Sequence, residues 1–406
     1  MVVCNQKRQM KVSVFHPGTQ YSHQLVGQLD RLTLLYKFVT GLAFAPEDKW
    51  LRYVPGKLRK RLSNRILRPP VSTDKIKCIA VPELMALMKL SLGFSMEPVL
   101  QQRNAYFQYL VPEQYIVDSD AIIGFDTSSW ILAGRAAELS KPFYLDQSIG
   151  HPSDKIDVYR KLRTQYPLWA EDIGEKEQKF IAQERAEHRL ASKVIVASTF
   201  TRDSLVRNGV PKEKIEINPY GVGGEFFIPR SGRTGKLRLL YLGFLGARKG
   251  LPLLLDAWNK FGLHNYAEAW LAGPATLHAI DQVRITPGIV YQGRRPHHEV
   301  PDLLRECDVL VFPSYYEGFG QVILEAMAAG IPVITTEATA GPDIIEHQVD
   351  GWLFKTGDVK GLADAITSMA NDRSFVTMMG TKARNKARLF SWEAYGDRWK
   401  SILNKG

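Results

Sequence analysis

Short apolar runs alternate with helical stretches along almost the whole chain, and the alternation is broken once. KVSVF (11–15), IKCIAV (76–81), DAIIGF (120–125), PFYLD (142–146) and KVIVAS (193–198) are nearly continuous in apolar residues. Such runs suit strands buried on both faces. Between them lie helical patterns, among them SWILAGRAAEL (129–139) and EKEQKFIAQERAEHRLA (175–191). After KVSVF, Leu25, Leu29, Leu32 and Tyr36 recur at helical spacing, so the first helix is predicted to run as far as Tyr36. The break is NPYGVGGEFFIPRSGRTGK (218–236), rich in glycine and without periodicity, which reads as a linker. The pattern then restarts with LRLLYLG (237–243), EAWLAG (268–273), GIVYQG (288–293), DVLVFPS (308–314) and PVITT (332–336), with helical stretches at 250–261, 299–306, 321–329, 359–371 and 373–388. Strand–helix alternation of this kind builds parallel sheets flanked by helices.

Two α/β domains follow: residues 1–217, a linker at 218–236, and residues 237–389, with a last amphipathic helix at 390–406. A chain of 406 residues is long enough for two such cores. No stretch of 18 apolar residues is present, so no membrane-spanning helix is expected. The N-terminus shows no secretory pattern. Cysteine occurs only at Cys4, Cys78 and Cys307, which gives neither a disulfide framework nor a zinc site. These features fit a cytoplasmic protein.

The chemistry concentrates in DVLVFPSYYEGFGQVILEAMAAGIPVITT (308–336). A buried strand leads into a loop, and a helix begins near Gln321. Open α/β sheets bind ligands at the carboxyl ends of their strands. A helix N-terminus offers free N–H groups and a partial positive charge, which suits a diphosphate. Gly318 and Gly320 let backbone approach a ligand. Glu325, one turn into the helix, has a carboxylate able to accept two hydrogen bonds from ribose hydroxyls. Glu317 stands on the other side of the phosphates. In YLGFLGARKGL (241–251), after another strand, Arg248 and Lys249 are cations suited to a departing diphosphate.

EGFG-x-x-x-LEAMA-x-G-x-PV, with its two glutamates, resembles the signature of family 4 of the retaining glycosyltransferases of GT-B fold. The resemblance is close from about 193 to 396 and architectural before that. It implies two Rossmann-like domains facing across a cleft, with the last helix crossing back to the N-terminal domain. It further implies transfer of a sugar, hexosyltransferase-type, from a UDP- or GDP-linked donor to a sugar or lipid-linked acceptor, without a metal or other cofactor. By the resemblance Glu325 binds ribose and Glu317 the transferred sugar. Gly243, Gly293, Arg294, Gly318, Phe319, Gly320, Gln321 and Val322 then border the donor. The family has an arginine where this chain has Phe244, so Arg248 is the residue to replace it. On the acceptor side the first loop supplies Gly18. FYLDQSIGHP supplies Asp146 as a further acceptor-side residue and His151 as a catalytic one.

Net charge is +11, and residues 51–68 carry Arg52, Lys57, Arg59, Lys60, Arg61, Arg65 and Arg68 with no acid among them. Leu58, Leu62 and Ile66 share one helical face there, which suits an interfacial helix on anionic lipid and a peripheral position on the inner membrane face. Interleaved aromatics of a nucleic-acid binder are lacking, so no nucleic-acid partner is expected. Phosphate-loop, G-x-G-x-x-G and metal-ligand spacings are absent. The rival reading is a non-catalytic scaffold of the same fold that binds membrane or polyanion.

Overall fold

The computed structural model describes residues 9–19, 21–44, 62, 65–67, 70–173, 178–229 and 232–405, without the side chains of 171, 172, 178 and 179. Most of the basic run at 51–68 therefore lies outside the described residues. Of its members, Leu62 and Leu67 are buried, and Arg65 pairs with Glu83 of a later helix, so this cation does meet an acid.

Among the described residues, thirteen strands make two parallel sheets. The first takes β1 (Val12–His16), β2 (Leu35–Thr40), β3 (Ile76–Cys78), β4 (Ala121–Phe125), β5 (Phe143–Gln147), β6 (Lys193–Val196) and β7 (Ile215–Ile217), in the order β3-β2-β1-β4-β5-β6-β7. The second takes β8 (Leu237–Leu242), β9 (Ala267–Ala272), β10 (Ile289–Gly293), β11 (Val309–Phe312), β12 (Val333–Thr336) and β13 (Trp352–Phe354), in the order β10-β9-β8-β11-β12-β13. Each order reverses beside its first strand, between β1 and β4 and between β8 and β11. Chains leave these paired strands on opposite faces, which opens a crevice at their carboxyl ends. This is the doubly wound α/β arrangement expected twice over.

The N-terminal pattern departs from expectation in three places. The first helix stops at Arg31, and Thr33 then takes a positive φ of 59°, so Tyr36 falls in β2 rather than on the helix. Apolar periodicity is ambiguous over so short a span, and the turn at Thr33 resets the phase. IKCIAV is a three-residue strand whose last residues open helix Ala80–Ser91. Residues 162–173 belong to the first half by sequence yet pack on the second domain, with the Trp169 ring edge-on to His278 at 4.8 Å.

The last helix, Trp392–Leu403, crosses back as the resemblance implied. Its buried face carries Tyr395, Trp399, Ile402 and Leu403. Burying one such aliphatic side chain contributes about 1.5–3 kcal/mol. Arg31 Nη2 binds Asp397 Oδ1 at 2.7 Å and the Glu393 carbonyl at 3.2 Å, fastening this helix to Ser22–Arg31 of the first domain. Tyr395 donates its hydroxyl to Asp146 Oδ2 at 3.1 Å.

Candidate functional site

Both crevices face one cleft. From the C-terminal domain, the loop after β8 carries Arg248 and Lys249, and the loop after β11 carries Glu317. Lys249 Nζ pairs with Glu317 Oε2, and Arg248 Nη1 reaches the same oxygen at 3.1 Å and the Tyr316 carbonyl at 2.8 Å. Burial alone would raise the Glu317 carboxyl, but Lys249 and then Arg248 outweigh it and hold it below the ordinary carboxylate range. Burial lowers the Lys249 ammonium, and Glu317 opposes that shift. Two cations against one carboxylate leave a positive surplus at the strand ends.

Gly320, at φ +85°, opens helix Gln321–Ala328, and Glu325 lies on its second turn, buried. Glu325 Oε1 meets His297 Nε2 at 3.0 Å. That hydrogen bond, more than the burial that works against it, raises His297 above its usual value. A cavity of about 420 Å³ lies beside them, lined by Tyr21, Gly243, Arg295, His297, Gln321, Val322 and Glu325 among others. Gln321, Val322, Glu325 and Gly243 thus share one cavity, next to the Lys249–Arg248–Glu317 cluster.

Other candidates fall elsewhere. Gly318 meets the opposite domain: its carbonyl accepts the hydroxyls of Ser198 and Thr201, the latter at 3.1 Å. A Cβ at 318 would overlap the Ser148 carbonyl, so only glycine fits this close approach. Phe319 is buried edge-on against Tyr220 at 5.2 Å, in the domain contact rather than the cavity. Gly293 accepts the Gly273 N–H at 3.0 Å and ends β10. Arg294 points to solvent, and its neighbour Arg295 lines the cavity instead. The strand end sets which side chain turns inward, and that register is not visible in the residue types.

The N-terminal residues are rearranged more. His151 is buried at the start of helix Pro152–Gln165, where its Nδ1 accepts the Ser153 N–H at 3.2 Å. Its backbone N–H binds Ser204 Oγ at 2.9 Å and its carbonyl accepts the Tyr316 hydroxyl at 2.8 Å. This histidine caps a helix and joins two domains. Asp146 is buried on Tyr395; burial, and then the nearby Asp126, push its carboxyl up to about 7. It faces the crossing helix rather than an acceptor space.

The N-terminal half instead holds a cavity of about 580 Å³ lined by His16, Gly18, Arg65, Met96, Arg103, Asn104, Thr127 and Lys155 among others. His16 ends β1, and its Nδ1 lies 3.2 Å from Ser128 Oγ. Its buried Nε2 has no hydrogen-bond partner among the described residues. A Cβ at Gly18 would sit 2.8 Å from that nitrogen, so any side chain there would crowd it. Burial, with Arg103 and Arg65, lowers His16 well below its usual value and keeps it neutral at pH 7. His16 and Tyr21 escaped the sequence reading, although HPGTQY follows the first strand and any polar residue there is placed at the crevice by topology. Tyr21 stacks on Tyr220 with ring centroids 3.9 Å apart and reaches from the first domain into the 420 Å³ cavity. Burial, then Glu317 and Glu325, raises its phenol. Among the described residues no cluster of three His, Cys, Asp or Glu is arranged to hold a metal ion. Among them, too, no helix is long and apolar enough to cross a membrane.

Residues 225–386 match the family model described as Glycosyl transferases group 1. The chain is 27% identical over 308 residues to the putative colanic acid biosynthesis glycosyltransferase WcaL of Salmonella typhimurium, covering 69% of this chain and 75% of that one. It is 27% identical over 290 residues to the amylovoran biosynthesis glycosyltransferase AmsK of Erwinia amylovora, covering 65% and 70%. Among solved structures, HepE of Anabaena in complex with UDP-glucose superposes with a TM-score of 0.66 at 16% identity, covering 98% of this chain and 100% of that one.

Proposed function

We propose that this chain, whose residues 225–386 match the glycosyl transferases group 1 family, moves a hexose from a nucleotide-sugar to a saccharide acceptor, with retention of configuration, in the building of a polysaccharide. One observation carries the reading: Lys249, Arg248 and Glu317 meet beside the helix that bears Glu325, at the reversal point of the second sheet. Glu325 takes the ribose hydroxyls. The diphosphate lies at the N-terminus of helix Gln321–Ala328, sharing Lys249 and Arg248 with Glu317. Glu317 in turn receives the hydroxyls of the sugar. Arg248 is the cation that stands in for the arginine absent at Phe244.

As the bond from the anomeric carbon to the diphosphate oxygen breaks, Lys249, Arg248 and the helix amides stabilise the leaving charge. An acceptor hydroxyl in the His16 cavity attacks from the same face, and its proton passes to the departing phosphate oxygen. The names of WcaL and AmsK, both tied to polysaccharide biosynthesis, support a saccharide acceptor. The UDP-glucose in the HepE structure supports a UDP-linked hexose. No metal enters this scheme, so turnover is expected to persist in EDTA.

Thermal shift with UDP, GDP and ADP tests the reading first. A ligand present at 100 times its Kd stabilises the fold by about 2.7 kcal/mol. Indifference to all three nucleotides would refute donor binding. A panel of nucleotide-sugars read by mass spectrometry then names the donor.

A further inference from the structure

Ten of the 21 exposed large hydrophobic side chains among the described residues fall between 81 and 110. On helix Ala80–Ser91, Val81, Leu84, Met85, Met88 and the following Leu92 recur at helical spacing, which puts them on one face. The opposite face buries Glu83, bound by Arg65 and, at 3.0 Å, by Arg103. Leu92, Phe94 and Met96, at 69%, 58% and 66% exposure, continue the apolar face round the turn into helix Met96–Leu110. The two helices run antiparallel, and Met85, Tyr106 and Tyr109 line a mainly apolar groove of about 450 Å³ between them. Soluble monomers rarely expose so much contiguous apolar surface without a use for it.

Charge along the sequence points to what covers it. Residues 57–110 hold ten Lys and Arg against three Asp and Glu, five of those cations falling outside the described residues. One of those acids, Glu83, is the buried partner of two arginines, while Lys89 lines the groove and Lys77, on β3 just before the first helix, is exposed. A second copy of this chain would bring the same positive charge against itself. We propose that this helical hairpin is a membrane-docking surface, its tip at Leu92–Met96 entering the headgroup region of an anionic bilayer while the flanking cations meet lipid phosphates. Met96 also lines the 580 Å³ cavity that holds His16 and Gly18. Docking therefore sets the mouth of that cavity at the membrane surface. The assignment goes beyond the donor-site reading and stands or falls without it.

Co-sedimentation with phosphatidylglycerol-containing vesicles and with pure phosphatidylcholine vesicles, at low and high salt, tests it on the full chain. The protein should pellet with the anionic vesicles and be released by salt. Leu92→Glu with Phe94→Glu should cut the partition at least about tenfold, since two exposed apolar anchors are lost. Lys77→Gln and Lys89→Gln should each cut it about fivefold. Unchanged thermal unfolding of these variants confirms that they fold. Phe94→Trp gives a second readout: added fluorescence that shifts to the blue with anionic vesicles alone. Wild type that ignores anionic vesicles at low salt would overturn the proposal. So would full binding by the double glutamate variant, which would assign the membrane contact to the basic run at 51–68 alone. Light scattering that shows a dimer dispersed by Leu92→Glu with Phe94→Glu, without vesicle binding, would make the face a contact between copies and overturn it equally.

Discussion

The two halves of the cleft rest on the same sheet plan, yet they gather their residues differently. In the C-terminal half, the loop after β8 and the loop and helix after β11 supply Lys249, Arg248, Glu317, Gln321 and Glu325. In the N-terminal half, the larger cavity draws on Gly18, Arg65, Met96, Asn104, Thr127 and Lys155, spread over some 140 residues. On the proposed function, the C-terminal half meets diphosphate and ribose, whose one chemistry a helix N-terminus with two acids and two cations suits locally. The N-terminal half would meet a variable acceptor with no such fixed group, so its walls are assembled by tertiary packing.

The largest test of that contrast is at the reacting end of the donor half. Lys249→Ala, and separately Glu317→Ala, should lower kcat about 100- to 1,000-fold, more than they weaken nucleotide affinity. Steady-state kinetics beside calorimetry decides. A normal kcat for Lys249→Ala would hand its role to Arg248. Next in size, Glu325→Ala should weaken nucleotide binding about 10- to 100-fold by calorimetry, since a charge-assisted hydrogen-bonding group is lost from a buried place.

On the acceptor side a single residue should matter less and in another parameter. Gly18→Val sets a side chain over His16 Nε2, so it should raise the acceptor KM about tenfold and leave nucleotide Kd alone. A changed nucleotide Kd would mean that the two halves are not separable in this way. The smallest effect concerns Asp146. Its folded-state value of about 7 lies above the ordinary 3.8 because it is buried. Its protonated form therefore favours folding at low pH, and that contribution is lost as pH rises through about 7. Asp146→Asn should raise the melting temperature by a few degrees at pH 8 and much less at pH 5, with acceptor KM unchanged. A shifted acceptor KM would return Asp146 to the acceptor side.

What could be read from the sequence follows the same divide. Strand runs buried on both faces, such as KVIV and VLVF, declare themselves by composition, and the two-sheet plan follows from them. β2, β7 and β13 do not, because LYKFVT, IEI and WLF mix polar residues into short spans or follow a turn that hides their phase. That Glu317, Glu325 and Lys249 gather at the strand ends was legible because a local motif holds them. His151 and Asp146 misled: a polar residue near a strand end can serve a helix cap or a domain contact as well as a ligand, and only the neighbours decide. His16 and Tyr21 were passed over because their neighbours, Ser128 and Tyr220, come from more than 100 residues away.

The chain passes between the domains in two places, through the linker and again before the last helix. Those passages lie side by side, with the Val222 N–H bound to the Phe390 carbonyl at 2.9 Å and Val222 bridged to Ser391. Tyr220 from one and Trp392 and Tyr395 from the other stack into a shared aromatic knot. A single tether would let one domain swivel about any axis. Two tethers laced together resist torsion and leave a door-like swing as the soft motion. Any opening of the cavity that holds Tyr21 from one domain and Glu325 from the other would then follow that one arc, and closing would return the same two faces to the same register.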